Sequence, residues 1–378
     1  MSRYFDYIII GGGLAGLQLA LKFGTDRFFE QKTIAVIDPS PKNTNDKTWC
    51  FWEQGEGQWD HIITKSWDKG LFFSAEKEIA LNLTPYRYKM LRALDFYEEV
   101  HNKLKELPNF SFILDTVEDI DQASCVVSGK TDSYNALHIF DSRITSDYAA
   151  DVKSSILYQH FKGWRIKTIQ ETFDPDVFTM MDFRIKHKDS TSFTYLLPIS
   201  KTEALVEFTL FTPYLTEDIV YEENLKKYIS SILKLQEYTI EETEKGVIPM
   251  TDFPFHEDST PRITKIGTGG SWVKGSTGYS FKHTEKKTEK IISNIQKGFD
   301  PGEKLVNKDK RRYDAIFIDV LKRNNEMGEN IFTKLYSRNE PQKIFRFLDE
   351  ETSFTEDLKI MFSLFHPQFL ISFYRKIF

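Results

Sequence analysis

The pattern of apolar and polar positions near the start of the chain predicts a strand, then a helix and then a second strand. Residues 7–10 form a continuous apolar run that predicts a buried strand, and the apolar positions within residues 17–23 predict a helix. Residues 33–38 predict a second strand, which ends in Asp38. This order is typical of a parallel sheet covered by helices.

The middle of the chain is predicted to become richer in strands. A helix over residues 91–107 precedes short apolar runs that predict strands at residues 110–114, 125–127 and 137–143, with a polar turn at 130–136. The tryptophan-rich segment 39–70 is predicted to be irregular. Residues 156–211 predict a second sheet, in which residues 193–197 and 204–210 form the clearest strand pair.

The second half of the chain is predicted to be mainly helical. Helical patterns cover residues 217–235 and 284–297, and a later amphipathic stripe has the spacing of one helix face. That stripe consists of Tyr313, Ile316, Phe317, Val320 and Leu321. Residues 359–378 are densely apolar at helical spacing, with an interruption at residues 366–368.

Composition excludes several functional classes. The 378 residues carry a formal net charge of −6, which gives no case for nucleic-acid binding. The cysteines Cys50 and Cys125 and the eight histidines show no metal-ligand spacing, so we expect no metal site and two reduced thiols in a cytosolic protein. We expect neither a signal peptide nor a transmembrane helix, because a basic leader and an apolar run of about 20 residues are both missing.

Aromatic residues make up 15% of the chain, with 32 phenylalanines. Side chains of this kind suit a long apolar ligand cavity and an ordinary core equally well.

The turn after the first strand carries the clearest chemical signal. Its glycines follow the G-x-G-x-x-G spacing, in which backbone amides and the positive end of a helix approach a pyrophosphate. A carboxylate at the end of the next strand stands where the adenosine ribose would lie. The residues predicted to contact the cofactor here are Gly11, Gly13, Leu14, Ala15, Gly16 and Asp38. The alternative is an ordinary strand–turn–helix with a flexible turn.

A second glycine cluster follows a predicted strand at residues 262–266 and contains Gly267, Gly269 and Gly270. Two distant glycine-rich loops indicate one extended cofactor that is contacted at several points, which FAD fits better than NAD. We therefore predict an α/β fold with a Rossmann-like FAD-binding domain, residues 1–155 with 245–300. A sheet-rich substrate-binding insertion would cover residues 156–244, and a helical C-terminal region residues 301–378.

Several short motifs follow one another along most of the chain. They include Thr48-Trp49-Cys50-Phe51-Trp52, Phe140-Asp141-Ser142-Arg143, Met180-Met181-Asp182-Phe183-Arg184, Leu205-Val206-Glu207-Phe208-Thr209, Ile248-Pro249-Met250 and Ser276-Thr277-Gly278-Tyr279. In this order they resemble the flavin-dependent lycopene β-cyclases. Each string is common by chance, whereas their order is specific. Plant members carry Glu-Glu where this chain has Glu207-Phe208, so only the first carboxylate is retained.

This resemblance implies an isomerase that cyclises the linear ends of lycopene to β-rings, giving β-carotene through γ-carotene without net redox change. It implies FAD that is active in its reduced form, NAD(P)H as the electron donor, and Asp141 as a further cofactor contact. A proton would add to the terminal double bond, the cation would close onto the chain, and a proton would leave. A cation in an apolar cavity needs a fixed negative charge nearby.

Glu207 is the predicted catalytic carboxylate. Strand alternation puts it on one face with Leu205 and Thr209, and burial would raise its pKa and favour the protonated acid. Roles as general acid and as cation stabiliser both stay open, as does proton transfer by the flavin itself. Asp182 is the second predicted catalytic residue, with structural hydrogen bonding as its alternative.

The predicted substrate cavity has aromatic walls. Its residues are Trp49, Phe51, Trp52, Thr277 and Tyr279. Core packing, or contact with the flavin ring, is the alternative role of the aromatic side chains among them.

Delivery of a carotenoid requires contact with a membrane. Residues 359–378 predict a helix that lies on a bilayer surface, with packing on the protein's own core as the alternative. We therefore expect a cytoplasmic, peripherally membrane-associated protein that acts on lycopene and related linear carotenoids and has no nucleic-acid partner.

Two other functions fit part of the sequence. One is a flavin-dependent reductase or monooxygenase acting on a polyprenyl or other apolar substrate. The other is a non-catalytic carotenoid or flavin carrier, in which Glu207 would be dispensable.

Overall fold

The computed structural model describes residues 3–377 of the chain. Its strands are β1 (Arg3–Ile10), β2 (Ile34–Asp38), β3 (Thr48–Gln54), β4 (Lys65–Trp67), β5 (Lys69–Phe73), β6 (Glu78–Asn82), β7 (Tyr86–Arg92), β8 (Phe110–Leu114), β9 (Val117–Asp121), β10 (Val126–Gly129), β11 (Ser133–Asp141), β12 (Ile156–Lys167), β13 (Val177–Asp182), β14 (Thr191–Ser200), β15 (Glu203–Thr212), β16 (Thr239–Thr251) and β17 (Ile263–Lys265). Its helices are α1 (Leu14–Thr25), α2 (Ala93–Leu104), α3 (Asp218–Ser231), α4 (Phe281–Gln296), α5 (Lys308–Arg323), α6 (Gly328–Arg338), α7 (Pro341–Leu348), α8 (Phe354–Ser363) and α9 (Pro367–Ile377).

The first sheet confirms the predicted Rossmann-like α/β fold. Its strands lie in the order β8-β2-β1-β11-β10-β9, and β17 pairs with the end of β11. β1 is parallel to β2 and β11, whereas β9 and β10 form an antiparallel edge. Helices α1, α2 and α4 cover one face through an apolar cluster that includes Leu17, Phe96 and Ile291. The glycine-rich loops after β1 and β17 therefore lie at the same edge of the sheet.

The second sheet is antiparallel except at one pair and has the order β16-β12-β15-β14-β13-β5-β6. It is broader than the predicted insertion over residues 156–244, because β5 and β6 join it from residues 69–82 and β16 continues to Thr251. The predicted division into domains stays a prediction.

The two faces of the second sheet pack against different partners. Val206 and Phe208 of β15 pack against α3. Leu205 and Phe211, on the other face, belong to a large cluster formed with the β3-β7-β4 sheet and the C-terminal helices. Glu207 shares the face of Leu205, as the strand alternation predicts.

Three local predictions differ from the structure. Residues 39–70 are not wholly irregular, because β3 and β4 pair with β7, and this distant pairing leaves no local pattern. The polar turn predicted over residues 130–136 is shorter, since β11 begins at Ser133. The helix predicted from residue 91 begins at Ala93, because the two preceding residues complete β7.

The apolar C-terminal run folds as two helices, α8 and α9, which are separated near Pro367. Leu364 and Phe369 pack on the large apolar cluster, whereas Phe362 (69%) and Leu370 (58%) are mostly exposed. The run therefore packs on the protein with one side and exposes the other. Phe378, which was included in the predicted run, lies outside the described residues. Within residues 3–377, no helix is both long and apolar enough to cross a membrane.

Candidate active site

A cavity of about 500 Å³ lies where the two glycine-rich loops meet the second sheet. Its walls come from the β1–α1 turn, the loop after β17, the start of β3, and the facing strands β15 and β16. The cavity thus joins the predicted cofactor loops to the face of the sheet that carries Glu207.

The first glycine turn is built for close approach of a ligand to the backbone. Gly11 has a φ of +101°, a conformation that glycine adopts without strain. A Cβ at Gly16 would lie 1.9 Å from the carbonyl oxygen of Gly11, so α1 can approach β1 only with glycine there. Gly13, Leu14, Ala15 and Gly16 line the cavity, and a Cβ at Gly13 would meet no atom within 4 Å. The amino end of α1 therefore opens into the cavity, which suits an anionic pyrophosphate.

The second glycine cluster contributes less of the wall than the sequence predicts. Gly267 has a φ of +58° and lines the cavity together with Thr268. Gly269 and Gly270 turn into the protein, where a Cβ would lie 2.3 Å from the carbonyl oxygen of Arg143 and 2.4 Å from that of Lys265. These two glycines shape the loop, because any side chain would collide with neighbouring backbone.

Two predicted cofactor contacts are engaged within the protein. Asp38 accepts a hydrogen bond from the backbone N–H of Gly12 at 2.6 Å and pairs with Lys42. Asp141 is buried and pairs with Arg143 and with Lys265, the latter at 3.0 Å. Within the described residues, neither carboxylate is part of the cavity wall. They support the two glycine loops, and a ligand contact for either stays a prediction.

Three of the five predicted substrate-cavity residues line the cavity: Trp49, Thr277 and Tyr279. The other two do not line it and have the core contacts that were given as their alternative role. Phe51 is buried and stacks on Phe281 with ring centroids 4.2 Å apart. Trp52 stacks on Phe345 at 4.5 Å and donates its indole N–H to Asp349 at 2.7 Å. Phe51 and Trp52 point to opposite faces of β3, and each ring packs into the apolar cluster on its own face.

Phenol and thiol groups form the polar part of the wall near Glu207. The hydroxyls of Tyr88 and Tyr279 lie 3.3 Å apart, and Tyr195 also hydrogen-bonds to Tyr279. Burial raises the pKa of all three phenols and of the Cys50 thiol. These groups are therefore neutral, so the wall combines aromatic faces with uncharged hydroxyls.

Glu207 lies near the middle of the second sheet, between β12 and β14. It is opposite Tyr195 on one side and Gly163 on the other. Its carboxyl accepts a hydrogen bond from the Thr209 hydroxyl at 2.9 Å and lines the cavity. Burial, followed by the negative charge of Glu244, raises its pKa well above the usual value. The raised pKa favours the protonated acid form of Glu207, which lies on an interior strand.

Glu244 was missed in the sequence and is the nearest carboxylate partner of Glu207. Gly163 of β12 pairs with Glu207 on one side and with Glu244 on the other, so the three residues lie in one row. The two carboxyl groups lie on the same face across the glycine, close enough for each to shift the pKa of the other. Strand alternation puts Glu244 on one face with Gly246 and Ile248, but this segment carries no clear apolar pattern that would single it out. The register across three strands could not be inferred from it.

Asp182 does not line the cavity, and its contacts support the structural alternative; its catalytic role stays a prediction. It is 0% exposed and pairs with Arg184, with an Nη2–Oδ2 distance of 2.5 Å. It also accepts a hydrogen bond from Tyr228 of α3 at 2.9 Å. Since α3 covers the face opposite Glu207, Asp182 holds this helix on the sheet.

Asp182→Asn is therefore expected to lower the free energy of unfolding by about 3 kcal/mol, because it leaves Arg184 without its buried partner. Denaturant unfolding measures the change, and the exposed Asp176→Asn serves as the control, with no change expected. A variant that is as stable as the unchanged protein but has lost most of its activity would instead support the predicted catalytic role of Asp182.

Unpartnered polar atoms support a polar ligand in this cavity. The buried Thr277 Oγ1 and Gln159 Oε1 line the wall and have no hydrogen-bond partner within the protein. Together with the open amino end of α1, they fit a flavin dinucleotide, whose phosphates and ring edges are polar. In the part of the chain that the structure describes, no cluster of His, Cys, Asp and Glu could hold a metal ion.

Comparisons with known proteins agree with this geometry. The family model described as lycopene cyclase protein matches residues 6–373. A lycopene beta-cyclase of Pantoea ananas is 24% identical over 259 residues, which cover 66% of this chain and 64% of the relative. The chain thus spans somewhat less than two thirds of the length of this curated relative.

Solved structures with the same fold are more distant in sequence. A geranylgeranyl bacteriochlorophyll reductase-like protein from Thermoplasma acidophilum superposes with a TM-score of 0.60 at 11% identity, covering 95% of this chain and 96% of its own. A flavin-dependent brominase gives a TM-score of 0.59 at 12% identity, covering 92% and 93%. The p-nitrophenol 4-monooxygenase of Pseudomonas putida gives 0.56 at 14% identity, covering 100% and 99%. At these identities the likeness concerns the fold alone.

Proposed function

The chain belongs to the lycopene cyclase family, and from this premise we propose that it is a flavin-dependent lycopene β-cyclase. The observation that carries the proposal is the carboxyl of Glu207, whose pKa is raised by burial, in an aromatic cavity that opens onto the glycine-rich loops. A carbon–carbon double bond is protonated only by a well-placed acid, and the resulting cation needs a cavity that excludes water.

Glu207 would act as the general acid. Its proton adds to the terminal double bond of the linear carotenoid end, and the resulting cation closes onto the chain to form the ring. A proton then leaves the ring carbon and returns to the Glu207 carboxylate, so protons and electrons balance over the cycle. The rings of Tyr88, Tyr195 and Tyr279 offer π-electron faces to the transient cation, an arrangement that stabilises positive charge where water is excluded.

FAD is the proposed cofactor, held by the amino end of α1 and the Gly267 loop. In its reduced form it would supply a fixed negative charge beside an apolar cavity, with NAD(P)H as the proposed electron donor. Thr277 and Gln159 would satisfy polar edges of the bound group.

Product analysis separates this proposal from the redox and carrier functions. A lycopene-accumulating bacterial host that expresses the chain should form bicyclic carotenoid of unchanged mass. Reduced or oxygenated product would favour the reductase or monooxygenase function, whose fold the chain shares. Unchanged lycopene beside folded flavoprotein would favour a carrier.

Peripheral membrane association from the cytoplasm is proposed on the exposed side of α8 and α9. Phe362, Phe365 and Leu370 are each at least half exposed there. The basic residues Arg375 and Lys376 pair with Asp319 and Asp252, so apolar insertion rather than charge would provide most of the affinity.

The triple variant Phe362→Ser, Phe365→Ser, Leu370→Ser is expected to bind vesicles about 100-fold more weakly, since each side chain contributes roughly 1 kcal/mol on partial burial. Co-sedimentation with phosphatidylcholine vesicles measures the loss. The matched control changes three exposed apolar residues near the start of α3, Tyr214, Leu215 and Ile219, to serine. Equal binding by both variants would contradict the proposed surface.

A further inference from the structure

We propose that Glu244 and Glu207 share one proton as a carboxyl pair, and that Glu244 is the positioning residue that keeps the proton on Glu207. This inference rests on the proposed function, because it concerns how the cyclase acid is kept protonated at neutral pH. It assigns a role to a residue that lies outside the motif containing Glu207.

The backbone register creates the pair. Glu207 and Glu244 lie on strands that flank β12, so their Cα atoms are separated by two strand spacings, roughly 9.5 Å. Two glutamate side chains can bridge that distance only if the residue between them has no side chain. Gly163 occupies the position, and a Cβ there would lie 3.0 Å from Cγ of Glu244 and 3.1 Å from Leu205.

Each carboxyl is held by one hydroxyl, which leaves its other oxygen for the partner. Thr209 donates to Oε1 of Glu207 at 2.9 Å, and Thr48 of β3 donates to Oε2 of Glu244 at 2.8 Å. The remaining oxygen of Glu244, Oε1, lies over Gly163, 3.3 Å from the position of a Cβ there, on the side of the sheet that it shares with Glu207. Two carboxylates in this position cannot both be charged at acceptable cost, so one of them keeps a proton.

The surroundings of the two carboxyls differ in burial and in charge. The titratable and charged groups around the pair are Cys50 on β3, Tyr88 and Arg92 on β7, Arg165 on β12, Tyr195 on β14, Glu242 and Lys245 on β16, Asp218 of α3 and Tyr279. Arg92 lies on the Glu244 side, where both it and Arg165 pair with Glu242. Within residues 3–377, Glu207 forms no ion pair, whereas its neighbours are phenols and a thiol that stay neutral. Burial raises the pKa of both carboxyls, and near Glu244 the effects of Glu242 and Arg92 oppose each other. The rise is the larger for Glu207, so the shared proton resides on Glu207 and the charge on Glu244.

The contact between the two carboxyls also favours the proton on Glu207. Burial raises the pKa of both carboxyls; the contact between them adds to this rise for Glu207 and opposes it for Glu244. Glu207 is thus the donor and Glu244 the acceptor in the resting state.

A second cavity gives Glu244 its own access to polar surroundings. It has a volume of about 270 Å³, and its walls include Arg92, Arg165 and Glu242. Glu244, Thr48 and Leu205 line both cavities, whereas Glu207 lines only the first. Proton exchange with water can therefore reach Glu244 from the polar side and pass to Glu207, without opening the apolar cavity where the cation forms.

Glu244→Gln tests the pair through two measurements on the full-length protein. Infrared spectra follow the protonated carboxyl band of Glu207 from about pH 5 to about pH 9 without substrate, and product formation is measured over the same range. Removing the neighbouring charge lowers the pKa of Glu207. We therefore expect both the band and the activity to be lost at a pH at least about one unit lower than in the unchanged protein.

Two further variants complete the experiment. Gly163→Ala keeps both carboxyls but separates them, so it should shift both midpoints in the same direction by a smaller amount. Glu241→Gln, an exposed position on the opposite face of β16, should leave both unchanged. If Glu244→Gln and Gly163→Ala keep the original midpoints, the pair is refuted even if the chain is a cyclase. If the infrared midpoints shift but no cyclic product ever forms, the pair stands and the proposed function fails.

Discussion

Glu207→Gln is expected to lower the rate of β-ring formation by about 10²–10⁴-fold, the usual contribution of a general acid. Glutamine keeps the size of the side chain and its hydrogen bond with Thr209 but cannot release a proton. Glu207 lies on an interior strand, lines the cavity and has a raised pKa, so the structure offers this proton where an apolar substrate would lie. Pigment analysis of a lycopene-accumulating host, followed by initial rates with purified protein, measures the loss.

The matched control for this variant is Glu203→Gln, on the same strand and face but at the hairpin end, where Glu203 pairs with Arg165. It should retain normal rates. Bicyclic product at an undiminished rate in Glu207→Gln would keep the cyclase but remove Glu207 as the acid. The proton would then have to come from another group.

Gly16→Ala is expected to destabilise the protein by about 3 kcal/mol or more and to abolish flavin retention. The new Cβ would lie 1.9 Å from the carbonyl oxygen of Gly11 and 3.0 Å from Ile9. A backbone oxygen in a tight turn cannot rotate away, so α1 must move off the first sheet. Thermal unfolding and the flavin absorbance of the purified protein measure the two effects.

Gly13→Ala separates cofactor binding from folding. Its Cβ would meet no protein atom within 4 Å and would project into open space at the cavity. This variant should unfold at a normal temperature but hold flavin more weakly, because the methyl group occupies space that the dinucleotide needs. Normal flavin content in both variants would contradict the assignment of this turn to the cofactor.

Local sequence patterns were sufficient to predict those features that a single short segment of the chain specifies. The glycines at 11, 13 and 16 identified the turn because their spacing follows from backbone sterics at that turn alone. The face of Glu207 followed from the two-residue period of a strand. The same period did not separate Phe51 and Trp52, which pack in the core, from Trp49 in the cavity wall, because an aromatic side chain suits either place.

Contacts between distant segments could not be inferred in this way. Asp182 and Glu207 are both carboxylates among apolar neighbours, yet one holds α3 through Tyr228 and the other faces the cavity. The choice depends on which helix covers which face of the sheet. The pairing of β3 with β7 was missed for a similar reason, since its hydrogen bonds join segments that share no local pattern.

The sequence by itself determined the Rossmann-like fold, the glycine-rich turn, the resemblance to a family and one acidic strand residue, because each depends on neighbours along the chain. Only the tertiary structure decided that this residue has a partner. Glu207 and Glu244 meet because β12 lies between their strands with Gly163 in register with both. Register across three strands is set by the packing of the whole sheet, and no single segment of the chain encodes it.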